Sequence, residues 1–122
     1  MQLLQVAQRA TDLPRAIAFY ETLTGQPVTA HFPQPGLAFF VLGDTRLLLD
    51  AAAPSALIYL RVDSVREKTE ELRAAGVEIA TEPHVIFRHE DDALGPARTE
   101  EWMAFFMDSE GNTVGIASQE LP

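Results

Sequence analysis

Val6-Ala7-Gln8-Arg9-Ala10, near the start of the chain, is matched 52 residues later by Ile58-Tyr59-Leu60-Arg61-Val62, with Arg9 set against Arg61. Each run reads as a short strand, and each is followed by a capped amphipathic stretch that ends at a glycine. In the first half Asp12 precedes Leu13-Pro14. Leu13, Ile17, Tyr20 and Thr24 then form a stripe beside Ala16, Phe19 and Leu23, and Gly25 closes it. In the second half Ser64 and Glu67 have capping-box spacing, Val65, Thr69, Leu72 and Ala75 supply the apolar side, and Gly76 is the stop. Two helices are predicted, each followed by a strand, over Pro27 to Phe32 and Val77 to Thr81.

The correspondence continues downstream. Leu37-Ala38-Phe39-Phe40 matches Met103-Ala104-Phe105-Phe106 at a separation of 66, and both lead into hairpin-turn residues, Gly43-Asp44-Thr45 and Ser109-Glu110-Gly111. The second half carries about 14 extra residues between Thr81 and Trp102, where Pro83, Asp91-Asp92, Gly95 and Pro96 predict a long loop or irregular hairpin. A duplicated βαβββ unit puts the chain in the α+β class, with module one at about 1–52 and module two at about 55–119 of a single domain spanning 1–122.

Composition narrows the partners. A chain of 122 residues, 47% hydrophobic and 22% charged, suits one globular domain with its own core. No cysteine is present, which excludes disulfides, thiolate metal sites and a cysteine nucleophile; with no signal-like N-terminus or membrane-length apolar run, the cytoplasm is the expected location. A formal charge of −9 repels phosphate backbones and anionic lipid, so neither nucleic acid nor membrane is expected as a partner. The sole lysine, Lys68, lies in a polar helical run and is a poor candidate for Schiff-base chemistry.

The runs from Arg9 to Tyr20, Leu72-Arg73-Ala74-Ala75-Gly76-Val77-Glu78, and Phe105-Phe106-Met107-Asp108-Ser109-Glu110-Gly111-Asn112 resemble the vicinal oxygen chelate superfamily of glyoxalases, bleomycin-resistance proteins and extradiol dioxygenases. The resemblance covers nearly the whole chain. It implies tandem βαβββ modules whose mixed sheets form a cup that holds a small organic molecule, usually in a homodimer. Catalytic members bind a divalent metal through a His or Gln early on the first strand of each module and a Glu on its last. The resemblance carries these positions onto Gln5, Leu49, Leu57 and Gly115. Three of the four offer no donor atom, and alternation with Leu47 argues against replacing Leu49 by Asp50. No metal and no cofactor are expected.

If Gln5 and Leu57 face the cup, strand alternation adds Ala7, Arg9, Tyr59 and Arg61, and turns Ile58, Leu60 and Val62 toward the helix. Arg9 and Arg61 either clamp an anion or pair with acidic residues at the start of each helix. His84 after Pro83, and Trp102 ahead of the repeated Ala-Phe-Phe, are the first choices for ligand contacts, with core packing as the competing reading of each. The candidate binding residues are thus His84, Trp102, Arg9, Arg61, Tyr59 and Gln5. His89 lies five positions after His84, so a regular strand would put the two on opposite faces. With Glu90, Asp91 and Asp92, His89 reads as part of a solvated acidic loop, and His31 as part of a turn. Phe32, Phe39, Phe87 and Phe105 are either core or apolar pocket walls.

Two functions follow as expectations. One is a glyoxalase/bleomycin-resistance-like protein with a degenerate metal site that binds a small molecule. The other is a lyase, isomerase or dioxygenase with a metal relocated around His84, or with metal-free acid–base chemistry from His84 and Glu101. A third, non-catalytic reading is an interaction subunit whose cup is filled by side chains. Open half-sheets also predict a homodimer, since exposed edges and apolar faces need covering.

Overall fold

The computed structural model describes all residues, 1–122. The chain runs β1 (Gln5–Arg9), α1 (Leu13–Thr24), β2 (Ala30–Phe32), β3 (Leu37–Leu42), β4 (Thr45–Asp50), β5 (Ile58–Arg61), α2 (Val65–Ala74), β6 (Ile79–Arg88), β7 (Glu100–Met107) and β8 (Thr113–Glu120). The strands form two mixed four-stranded sheets with the same topology, β1-β4-β3-β2 and β5-β8-β7-β6. In each, the first strand pairs in parallel with the last, and the remaining pairs are antiparallel. The fold is α+β, with each βαβββ module building one sheet.

Two compact units result. One comprises Met1–Leu57 with Asp108–Asn112, the other Ile58–Met107 with Thr113–Pro122. No helix is long and apolar enough to cross a membrane.

The caps form where the residues predicted them. Asp12 Oδ1 accepts from the Arg15 amide at 3.1 Å, and Gly25 ends α1 at φ 71°, in the left-handed region that costs glycine least. Ser64 Oγ accepts from the Glu67 amide at 3.2 Å. Ala16, Ile17, Tyr20 and Leu23 bury the inner stripe of α1, and the first sheet contributes Gln8, Ala38, Phe40, Leu47 and Leu49 to the buried set. The core of the second unit joins Val65, Thr69 and Leu72 of α2 to Ile58, Ala104, Phe106, Val114, Ile116 and Ser118. Each buried Phe or Leu among these contributes about 1.5–3 kcal/mol.

The first unit is completed by the turn Asp108–Asn112. Asp108 accepts from the Tyr20 hydroxyl at 2.8 Å and from the Glu110 and Asn112 amides at 2.8 and 2.7 Å. Burial and the neighbouring carboxylate push the Tyr20 phenol far above its ordinary range. Glu110 accepts from Arg15 Nε at 2.7 Å, from the Asp12 amide at 2.9 Å and from the Thr11 hydroxyl at 3.1 Å. Arg15 is the chief reason that the carboxyl of Glu110 is held down at about 2.

Two local expectations change, and one pair of alternatives is decided. β2 begins only at Ala30, because Pro27 has no N–H and the Val28 amide is given to Glu21 Oε2 at 2.9 Å. His31 belongs to β2, paired with Ala38, and not to a turn. Of the two alternatives between Thr81 and Trp102, the irregular hairpin is the one formed: β6 runs on past Thr81 to Arg88 because register shifts at Ile79/Thr81, Thr81/His84 and Val85/Phe87 absorb Pro83 in an edge strand.

Candidate functional site

In the second unit, the sheet face turned away from α2 is organised in cross-strand rows, because directly paired residues share a face. One row runs Tyr59, Gly115, Phe105, Thr81. The next runs Arg61, Ala117, Met103, His84, and the third Gln119, Glu101, Phe87. Strand spacing sets Arg61 about 14 Å from His84, three strands away. The structure therefore brings Tyr59, Arg61 and His84 onto one face.

Gly115 is the low point of this face. A Cβ there would stand 2.8 Å from Tyr59 Cδ2 and 3.0 Å from Phe105 Cε1. Both rings close over the missing side chain, edge to face, with centroids 5.8 Å apart and planes at 78°. Tyr59 remains 51% exposed.

The third row ends in a buried polar cluster. Glu101 Oε1 accepts from His89 Nε2 at 2.6 Å and from Gln119 Nε2 at 2.9 Å, and Gln119 also reaches Oε2 at 3.0 Å. Phe87 and Gly95 pack against the His89 imidazole. Sequence reasoning missed this cluster. It placed His89 in a solvated loop and on the face opposite His84, but the bulge between Val85 and Phe87 resets the alternation, so both histidines serve the same face. Pro83 within a strand was the available signal for such a bulge. The partner proposed for Glu101, His84, is elsewhere: its Nδ1 donates to the Glu82 carbonyl at 2.9 Å.

Trp102 is on the other face. It pairs with Ser118 and lies under Arg66 of α2, whose Cζ stands 4.2 Å from the ring centroid. Arg9 and Arg61 form no ion pair in the structure, contrary to the salt-bridge reading. Asp12, the acid expected near Arg9, accepts instead from the Arg15 amide.

In the first unit the face turned away from α1 carries Gln5, Ala7 and Arg9, opposite Arg46, Leu48 and Asp50. Phe39 pairs with Leu48 whereas Phe105 pairs with Gly115, so β4 and β8 correspond at a separation of 67, not 66. The five-residue turn Asp108–Asn112 replaces the two-residue turn Gly43–Asp44 and shifts the register. The position equivalent to Gly115 is therefore Leu48; Leu49 is fully buried on the α1 side, and Asp50 lies on the open face.

The metal-binding pattern does not fit these residues. Gln5 Oε1 is buried without a partner, which would suit a cation, but Arg46 stands directly across from Gln5. Leu48 and Leu57 offer no donor, and the space where a side chain at Gly115 would begin is filled by two aromatic rings. Nowhere do three His, Asp or Glu side chains converge in a metal-binding group, around His84 or elsewhere.

A family model described as the Glyoxalase/Bleomycin resistance protein/Dioxygenase superfamily matches residues 2–116. No curated protein sequence matches the chain. Among solved structures, one described as a conserved domain protein superposes with a TM-score of 0.76 at 16% identity, covering 98% of this chain and all of the other. Lactoylglutathione lyase from Agrobacterium tumefaciens superposes with a TM-score of 0.68 at 23% identity, over 96% of this chain and 92% of the other. A glyoxalase/bleomycin resistance protein/dioxygenase from Alicyclobacillus acidocaldarius does so at 0.68 and 14%, over 97% and 91%. At these identities the likeness is one of fold.

Proposed function

The chain belongs to the Glyoxalase/Bleomycin resistance protein/Dioxygenase superfamily, and from that premise we propose that it binds a small organic molecule without a metal ion. The observation that carries this reading is the open face of the second unit. There an aromatic pair fills the family's carboxylate position at Gly115, and Arg61 and His84 stand on the same side. An apolar floor with a few convergent polar groups is the usual makeup of a ligand site. Native mass spectrometry of freshly purified protein tests the reading. A stoichiometric organic molecule, released on denaturation and unaccompanied by metal, is the expected result. A bare chain mass, together with no thermal shift across a small-molecule library, overturns it.

A second reading, metal-free acid–base catalysis by a lyase or isomerase, is favoured by the His89–Glu101 pair at the end of the same face. His89→Gln keeps a donor but cannot relay a proton. Binding that survives this change while turnover of the bound compound disappears would select the enzyme.

The working form is a cytoplasmic homodimer. Phe32, Val41, Leu57, Val85 and Ile86 are exposed apolar side chains beyond what a small ligand would cover, and a second copy is the economical cover for them. A monomeric mass by light scattering at micromolar concentration would refute this assembly.

A further inference from the structure

We infer that the ligand class of the second unit's open face is an aromatic carboxylate, its ring against Tyr59 and Phe105 and its anionic end on Arg61. This rests on the small-molecule reading above and goes one step further, to the chemistry recognised.

Four observations converge. Tyr59 and Phe105 meet edge to face over Gly115, and Tyr59 stays half exposed, so an aromatic surface is available beside an already packed ring. Arg61 follows two residues later on the same strand, hence on the same face and about 7 Å along it. Its guanidinium has no ion-pair partner, and the residue directly across is Ala117, too short to obstruct a ligand. A planar fork left unpaired suits bidentate recognition of a carboxylate.

Charge agrees with this placement. The chain as a whole carries −9, yet the only carboxylate among the strand residues of this face is Glu101. That carboxylate is already engaged by His89 and Gln119. An arriving anion meets one free cation and no free acid.

The first unit provides an internal contrast. Ala7 occupies the place of Tyr59, and Arg9, the counterpart of Arg61, stands directly opposite Asp50. No ring stands beside Arg9 on its strand: the aromatic pair of this unit is Phe32 and Phe39, edge to face at 6.1 Å on β2 and β3, where Arg46 already covers the Phe39 ring, and Arg9 faces a carboxylate. The exposed ring two residues before an arginine with no facing carboxylate is thus found only in the second unit.

Isothermal titration calorimetry with 2-naphthoate and its neutral isostere 2-naphthamide tests the inference on the full chain. Wild type is expected to bind the carboxylate at least about tenfold more tightly than the amide, the size of a charge-assisted hydrogen bond. Arg61→Gln should abolish that preference, Tyr59→Leu should weaken both compounds, and Lys68→Gln on α2 should change neither. Circular dichroism and a melting curve establish that each variant is folded, and Arg61→Lys, which keeps the charge but not the fork, should retain only part of the preference. Equal affinity for the two compounds, or a preference that survives Arg61→Gln, overturns the inference. Failure of both compounds to bind protein that carries a different copurified molecule also overturns it, while leaving small-molecule binding standing.

Discussion

Nε2 of His89 lies 2.6 Å from Oε1 of Glu101, with each side chain more than nine-tenths withdrawn from solvent. Removing Glu101 leaves the His89 ring nitrogen without its partner, and removing His89 leaves Glu101 with the two bonds from Gln119 alone. His89→Ala is expected to destabilise the fold by about 1–3 kcal/mol, and His89→Gln by less. Urea unfolding checks this, and a loss within about 0.5 kcal/mol of zero for the alanine variant would show that the pair is not a stabilising contact.

The ion pair of Arg15 and Glu110 makes stability depend on acid. Glu110 is lowered from 4.5 to about 2, chiefly by Arg15, so its contribution is complete above pH 4.5 and is lost as the pH falls toward 2. Because Arg15 is half exposed and solvent screens the pair, the loss should be smaller than the full shift of Glu110 implies. Glu110→Gln should flatten that segment of the stability curve. Parallel curves for variant and wild type would contradict the assignment.

Gly115 should resist even one added carbon. Gly115→Ala puts a methyl within 2.8 Å of Tyr59 and 3.0 Å of Phe105, and is expected to cost about 1–3 kcal/mol. Tyr59→Ala in the same chain should recover part of that cost. Strict additivity of the two substitutions in chemical denaturation would mean that the rings do not occupy the space.

Metal retention should be low. After dialysis against nickel, zinc or manganese, far less than one ion per chain is expected, since Leu48, Leu57 and Gly115 provide no ligand and Arg46 faces Gln5. Stoichiometric retention that disappears in Gln5→Ala would overturn the donor argument.

The architecture was legible from the sequence because the repeat carried several independent signals. Arg9 against Arg61, two capped helices and two Ala-Phe-Phe strands gave topology and faces together, and the alternation that set Tyr59 and Arg61 opposite Ile58 holds in the sheet register. Where turn length or bulges intervened, the reading slipped by one residue. Asp108–Asn112 moved the partner of Gly115 from Leu49 to Leu48, and the irregular pairing of β6 brought His89 to the face of His84. Trp102 followed its strand parity to the helix side, where an arginine could stack on it. Period-two patterns identify a face only as long as every residue is paired.

Tyr20 and Asp108 are separated by 88 positions along the chain, yet they share a hydrogen bond inside the first unit. A ribosome that has released only the N-terminal half has not yet made the carboxylate that the buried phenol requires, nor the Glu110 side chain that holds the start of α1. The usual order, in which an N-terminal module finishes folding before the next is synthesised, is closed to this duplicated chain. Its first unit must wait, incompletely bonded, for almost the last turn to emerge.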